Sequence, residues 1–383
     1  MNKRVVIVAG EASGDEHGAR LARALADLLP GVELSGIGGP AMDKVGCVLL
    51  FRAEDLALVG ISEVLGKAGQ IWRAMRGIRA HLRELRPDLL ILIDFPDFNF
   101  RLAAYAKKLG LRVLYYISPQ VWAWRKSRAV RMTSLVDHLA VILPFEKDFF
   151  AAHAPSLPVT FVGHPALDQE PADGEDASAW PWADDRPVVG LLPGSRRSEL
   201  RRHMPLLMET ARLMLHEHPD LAFVLPVAPG LKKEAVASCL DRSLPITLLP
   251  QAARLVMQKA RLLLICSGTA TLQAALYGAP MVVFYKTGWL NYLLGTRLIK
   301  VRHIAMPNLI YEGELLHELI QDAANPTALS KLALELLADP VRLEAMRTGL
   351  AQVRQKLGGP GASRRTAELA VSLMAPGDVS APR

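Results

Sequence analysis

A chain of 383 residues is longer than one ordinary domain and suits two. Its hydrophobic share is 51%, yet no run of 18 apolar residues occurs, so no segment is expected to span a bilayer. The net charge of +7 suits anionic partners such as nucleotides, phosphorylated lipids or an acidic membrane surface, and without a recognised motif it does not argue for nucleic acid.

The chain opens on a β-branched run, Lys3–Ala9, which predicts a buried strand; because it starts almost at once, no signal peptide is expected. Leu21, Ala24, Leu25, Leu28 and Leu29 then share one helical face, Pro30-Gly31 ends that helix, and Val32-Glu33-Leu34 begins a second strand. The turn of this βαβ unit reads VAGEASGDEHGA (residues 8–19). Its glycines, Gly10, Gly14 and Gly18, are spaced by four and miss the G-x-G-x-x-G spacing that lets a backbone approach a pyrophosphate. Glu11, Asp15 and Glu16 also place negative charge where a phosphate would sit. The turn is therefore read as a site for hydroxyls, carried by Glu11, Ser13 and Asp15. A plain helix cap by Ser13 or Asp15 is the alternative.

Residues 67–86 place Ile71, Trp72, Met75, Ile78, Leu82 and Leu85 at helical spacing among Lys67, Arg73, Arg76, Arg79, Arg83 and Arg86. Such a basic amphipathic helix suits an anionic bilayer, and equally an ordinary helix packed on a sheet. Residues 286–302, with Trp289, Tyr292, Leu293 and Leu294, repeat the pattern. Further strands are expected at Leu89–Ile93, Arg112–Ile117, Asp137–Leu143 and Val159–Val162, with helices between them, which gives a parallel sheet. LLILIDFPDFNF (89–100) runs a buried strand straight into Asp94, a candidate general base; Asp97 or Asn99 suits a helix cap. SPQVWAWRKSR (118–128) holds Trp122 and Trp124 beside Arg125, Lys126 and Arg128. These aromatics suit stacking on a sugar or packing on lipid, and equally a plug of core residues.

Residues 167–187 are acidic and rich in Pro, Gly and Ala, and read as a linker. A second alternation starts at Pro187–Leu192 and continues through strands near Ala222–Pro226, Ile246–Leu248, Leu262–Cys266 and Met281–Tyr285. The expected layout is a domain over 1–166, a linker over 167–187, a second domain over 188–355, and a C-terminal helix and tail over 356–383, with packing back on the first domain left open. Two open α/β domains of this kind imply a cleft, with ligands beyond the carboxyl ends of the strands. In LLPGSRRSEL (191–200), Gly194 permits close backbone approach, Ser195 is a candidate N-cap, and Arg196 and Arg197 are fork-shaped cations suited to phosphate. In CSGTATLQAALYGAP (266–280), Ser267, Gly268 and Thr269 end a strand and start a helix, where free amides favour an anion. No D-x-D pair occurs, so Arg196 and the helix start are expected to replace a metal, and no cofactor is expected. Cys47, Cys239 and Cys266 lie far apart, with neither metal-ligand spacing nor a disulfide framework, and fit a reducing compartment.

The ordered set VAGEASGD, GIGGPAM, DFPDFN, SPQVWAWR, LPFEK, GHP, LLPGSR, SGTATL and MPNL, spread from residue 8 to 309, resembles the lipid-A-disaccharide synthase family. The resemblance implies an inverting glycosyltransferase with two Rossmann-like domains facing a cleft (GT-B architecture). It implies UDP-2,3-diacylglucosamine as donor and 2,3-diacylglucosamine 1-phosphate as acceptor. The products would be UDP and a β-1,6-linked disaccharide phosphate, made on the cytoplasmic face of the inner membrane of Gram-negative bacteria. By the same resemblance the first domain faces the acceptor and the second holds the sugar nucleotide. Asp94 then matches the essential aspartate, Arg196 the arginine facing the departing diphosphate, and Asn308 a polar residue near the nucleotide. Trp122 and Asn99 join the substrate-binding set, and Gln273 stands where the family usually has a ribose-binding glutamate. Gln273 retains hydrogen bonding there but not the charge. The resemblance leaves a homo-oligomer open. Its rivals are another GT-B enzyme on UDP-sugars, such as an epimerase or a peptidoglycan-precursor transferase, and a non-catalytic lipid-binding module.

Overall fold

The computed structural model describes residues 2–56, 61–124, 127–168, 180–184, 186–228, 230–288 and 303–375, without the side chains of residues 61–68 and 124. Most of the expected linker, the tail beyond residue 375, and residues 289–302 of the second amphipathic stretch lie outside the described residues, as do Arg125, Lys126 and the side chain of Trp124. The chain divides into two compact units, Met1–Asp168 with Leu357–Arg383, and Gln169–Lys356.

In the first unit the strands are β1 (Arg4–Ala9), β2 (Glu33–Gly38), β3 (Val48–Arg52), β4 (Leu89–Ile93), β5 (Val113–Tyr116), β6 (His138–Val141) and β7 (Val159–Phe161). They form one parallel sheet in the order β3-β2-β1-β4-β5-β6-β7. Both faces of the sheet are covered, which is why its central strands read as unbroken apolar runs rather than alternating ones. Val6, Val8, Leu90 and Leu92 face one core, with Ile78 and Leu82; Val5, Ile7, Leu89 and Ile91 face the other, with Leu21 and Leu25. The helix Ala362–Met374 belongs to the second core through Ala367, Ala370 and Met374. Its N-terminus is capped by the Asp168 carboxylate, which accepts the amides of Gly361 (2.6 Å), Ala362 (3.0 Å) and Ser363 (2.8 Å).

In the second unit the strands are β8 (Val188–Leu192), β9 (Ala222–Val227), β10 (Ile246–Pro250), β11 (Leu262–Cys266), β12 (Met281–Tyr285) and β13 (Glu318–Ile320). They also run parallel, in the order β10-β9-β8-β11-β12-β13. Both units are Rossmann-like, as expected. The two strands that sequence reading passes over, β3 and β13, are edge strands with half-exposed side chains, so neither carries a buried apolar run.

In each sheet the strand order reverses once, between β1 and β4 and between β8 and β11. A crevice opens outside the carboxyl ends of the strands at such a reversal. The segments after these four strands are EASGD, DFPDFN, PGSR and SGTATL.

Candidate active site

At the first reversal β4 ends in Asp94, and the chain turns at once. Asp94 (φ 44°) and Phe95 (φ 50°) are both left-handed before the helix Pro96–Lys108 begins. Two consecutive non-glycine residues in this region are strained, at about 1–3 kcal/mol each, and a bulky Phe there is a true outlier. The surroundings hold them. Asp94 O accepts the Tyr115 hydroxyl (2.6 Å) and Asn99 Nδ2 (2.7 Å). The Phe95 ring stacks on Phe98 at 5.2 Å and lies where a Cβ on Gly10 would stand, 2.3 Å from the ring. Gly10 therefore has to be glycine for the turn to close against β1. Burial, together with the charge of Glu11, pushes the Asp94 carboxyl up from 3.8 to about 6, against the Phe95 amide that favours its ionised form. A carboxylate poised near 6 is suited to take a proton at neutral pH.

The residues expected beside Asp94 divide into two groups. Glu11 and Ser13 are exposed at the start of the helix Ala12–Leu28, and neither side chain caps it. Asp15 and Asn99 are buried. Asp15 is buried, and its carboxylate accepts the amides of Gly39 (2.7 Å), Ala41 (2.9 Å) and Met42 (3.0 Å). It thereby fixes the GIGGPAM turn to EASGD. Asn99 is fully buried and donates to Ile93 O (3.3 Å) as well as Asp94 O. Asp97 is exposed and pairs with Arg128 at 2.8 Å.

Trp122 is tied down rather than free to stack on every side. Its indole N–H donates to Glu146 Oε1 (3.2 Å), and Phe145 meets the ring edge-on at 5.0 Å. Glu146 is buried and accepts the amides of Ile142 (3.2 Å) and Leu143 (3.0 Å); burial pushes it up to about 7. The SPQVWAWR and LPFEK segments thus meet through one carboxylate.

At the second reversal Gly194 is left-handed (φ 111°), and Ser195 and Arg196 follow it exposed. The helix runs over Arg197–Glu217 with Arg196, not Ser195, at its N-cap. The amides of this loop are taken by the helix itself. Glu199 Oε2 accepts the amides of Ser195 (3.0 Å) and Arg196 (3.2 Å), and Arg196 Nη1 lies 3.6 Å from Glu199 Oε1. Arg196 keeps 73% of its side chain exposed. After β11, Ser267 is half-buried while Gly268 and Thr269 are exposed at the start of the helix Thr269–Leu276; Gln273 is exposed on that helix. Sequence reasoning missed His203. It is fully buried, its Nδ1 lies 2.7 Å from Pro193 O, and the Lys286 amide donates to its Nε2 (3.3 Å), so it joins the end of β8 to the end of β12.

Asn308, matched by resemblance to a residue near the nucleotide, is held within the second unit. It is fully buried, donates to Leu316 O (2.8 Å) and Glu318 Oε1 (2.7 Å), and accepts the amides of Leu315 (3.0 Å) and Leu316 (2.8 Å). With all four positions of its amide taken, it fastens the segment before β13.

The basic helix spans Ile61–Leu85. Ala74, Ile78 and Leu82 are core, with Ile71, Met75 and Leu85 packed against it. Trp72 alone leaves the stripe, 61% exposed, with the Arg76 guanidinium 5.5 Å from its ring centre. Arg79 instead packs over Tyr105 at 5.1 Å. Among the described residues, no helix is long and apolar enough to cross a membrane, and no three His, Cys, Asp or Glu converge as a metal site.

A family model described as lipid-A-disaccharide synthetase matches residues 5–372. The chain is 45% identical over 376 residues to the lipid-A-disaccharide synthase of Trichlorobacter lovleyi, covering 97% of this chain and 98% of that one. It is 44% identical over 374 residues to the enzyme of the same name from Nitrosococcus oceani, covering 97% and 96%. Among solved structures, UDP-GlcNAc 2-epimerase from Neisseria meningitidis bound to UDP-GlcNAc matches with a TM-score of 0.64 at 13% identity, covering 97% of this chain and 100% of that one. MurG from Acinetobacter baumannii matches with a TM-score of 0.60 at 13% identity, with the same coverage of 97% and 100%. At such identities the structural likeness speaks for the fold alone. With the family model over nearly the whole length and full-length relatives above 40% identity, the chain belongs to the lipid-A-disaccharide synthase family, the glycosyltransferases of lipid A biosynthesis, on a GT-B fold.

Proposed function

We propose that Asp94 is the general base that joins the two acylated sugars. Its carboxylate takes the proton of the acceptor 6-hydroxyl of 2,3-diacylglucosamine 1-phosphate as that oxygen attacks the anomeric carbon of UDP-2,3-diacylglucosamine. The bond to the diphosphate breaks, UDP leaves, and the β-1,6 linkage forms with inversion. The observation that carries this reading is a partly buried carboxylate, shifted up to about 6, at the strand-order reversal of the first unit. We assign acceptor binding to that unit, with the exposed Glu11, whose charge reaches the base, and the exposed Ser13 of the same helix start. The UDP-sugar is assigned to the second unit. Arg196, with Gly194 and the Ser195 hydroxyl, faces the diphosphate; Ser267, Gly268 and Thr269 form the opposite strand end, and Gln273 meets the ribose. Arg196 and the helix start supply the charge that a metal supplies in enzymes with a D-x-D pair. The test is transfer between the two lipid substrates, followed by UDP release, for the wild-type chain and for Asp94→Asn.

The lipid substrates also imply work at an anionic membrane surface on the cytoplasmic side of the inner membrane. Trp72, exposed beside Arg73 and Arg76, supports this. Each cation near such a surface is worth about 1 kcal/mol. The Trp72→Ala, Arg73→Glu, Arg76→Glu variant is expected to sediment poorly with anionic vesicles while still binding UDP. Unchanged sedimentation would remove this helix from the membrane contact.

A further inference from the structure

A general base works only if its carboxylate stands in one place, and Asp94 stands on a backbone that does not hold its own shape. Asp94 and Phe95 are both left-handed, and neither is glycine. The peptide carbonyl between them lies at the end of β4, partly buried. Two donors from different elements close on it: the Tyr115 hydroxyl from β5 at 2.6 Å and Asn99 Nδ2 from the first turn of the next helix at 2.7 Å. A carbonyl oxygen has two lone pairs, so both are used. Asn99 also donates to Ile93 O at 3.3 Å, so one amide group spans the last strand residue and the turn. Its own Oδ1 is buried with no hydrogen-bond partner. An unsatisfied buried oxygen is a cost that an apolar residue would avoid. A side chain whose only bonds run to Ile93 O and Asp94 O is there for those carbonyls. Tyr115 is wholly buried, and burial beside Asp94 keeps its hydroxyl protonated, and so a donor, well above neutral pH.

We propose that Asn99 and Tyr115 are positioning residues: by clamping the Asp94 carbonyl they hold the left-handed Asp94–Phe95 turn and so fix where the base stands. This rests on Asp94 being the base. Neither residue needs to touch a substrate, and both are sealed from solvent in the structure. The ionisable groups around the clamp are Glu11 from the β1 turn, Tyr115 itself from β5, and the Asp97–Arg128 pair from the flanking helices. Of these, only Tyr115 is itself in hydrogen-bond reach of the Asn99 side chain.

The experiment compares full-length wild type with Tyr115→Phe, Asn99→Ala and the double variant. Three quantities are read: kcat and KM with both lipid substrates, UDP binding by calorimetry, and titration of the Asp94 carboxyl by carbon NMR in the absence of substrate. The double variant is expected to lose kcat by about tenfold or more, with KM and UDP affinity within twofold of wild type. Released from its fixed place, the Asp94 carboxyl gains water, so its titration and the acid limb of kcat move down together toward the ordinary carboxylate range. A purely structural role lowers thermal stability without moving that titration. Wild-type kcat in the double variant, or a loss of kcat with the Asp94 titration unmoved, overturns the proposal. If Asn99→Ala does not fold, Tyr115→Phe, which removes one hydroxyl and keeps the ring, is read alone by the same criteria. Asp94→Asn separates this from the reading beneath it. An inactive Asp94→Asn beside fully active clamp variants rejects the clamp alone; an active Asp94→Asn rejects the base and the clamp with it.

Discussion

The two strand-order reversals are built in opposite ways. At the end of β4 the proposed base is partly buried, the backbone is strained, and the Asp94 carbonyl accepts from Tyr115 and Asn99. At the end of β8 the cation is exposed, and the loop amides are already occupied by a carboxylate of the same helix. The difference fits the two tasks. A base gains from desolvation, because the raised pKa strengthens it and keeps its proton transfer near neutral pH. A grip on a leaving diphosphate has to form and release within each turnover. Contacts that water and Glu199 can replace release it more readily than a sealed pocket.

Breaking the buried end has the largest expected effect. Asp94→Asn should lower turnover by about two orders of magnitude or more, the usual scale for a positioned base, with UDP affinity unchanged in calorimetry. It also carries a stability signature. The folded carboxyl is raised from 3.8 to about 6, so folding holds its proton more tightly than the unfolded chain does. The stability linked to that proton is complete below 3.8 and is lost as pH rises through about 6. At pH 8 the ionised Asp94 therefore destabilises the fold, by up to about 3 kcal/mol. Asp94→Asn should raise Tm at pH 8 and leave it nearly unchanged at pH 3.5. An equal change at both values would deny the desolvation. In the wild type, kcat should fall as pH drops through about 6, visible in a pH–rate profile.

Gly10→Ala tests the packing side of the same turn. A methyl group there meets the Phe95 ring at 2.3 Å, and the ring sits on a backbone with no slack. A loss of about 1–3 kcal/mol in urea unfolding is expected, with turnover reduced by up to about a hundredfold as the base is displaced. Wild-type turnover would show that the turn tolerates a shift.

The exposed end should respond less. Arg196→Ala is expected to weaken UDP by about tenfold and uridine hardly at all, because the proposed contact is to the diphosphate and the side chain lies in water. Equal losses for both ligands would place Arg196 elsewhere. Glu199→Gln has the smallest effect and the opposite sign. Gln can still accept the Ser195 and Arg196 amides but removes the charge that competes with phosphate, so UDP should bind about threefold tighter. Weaker binding would mean that Glu199 shapes the loop for the ligand instead of competing with it.

Much of this was legible in residues alone. Leu89–Ile93, Leu262–Cys266 and Met281–Tyr285 are strands with the bounds their apolar runs suggest, because a parallel sheet covered on both faces demands such runs. Asp94 stands out for the same reason: an acid ending a fully apolar strand. Glu199 was not readable as a cap, because the expected N-cap Ser195 puts Ser198, not Glu199, three residues on. The ordered motifs carry the family.

What sequence could not assign was the employment of polar side chains. Asp15 and Glu11 lie four residues apart and look alike, yet one is closed by three amides from Gly39–Met42 and the other is open. Asn99 and Asn308 look like ligand contacts, but each is buried on backbone groups that only the folded chain brings to it. The Tyr115 hydroxyl reaches Asp94 across 21 residues of sequence. The apolar pattern determines strands and helices because burial depends on a residue's own side chain and its near neighbours. Whether a carboxylate or an amide serves chemistry or scaffold depends on which distant donors and acceptors arrive beside it, and that is decided by the tertiary structure.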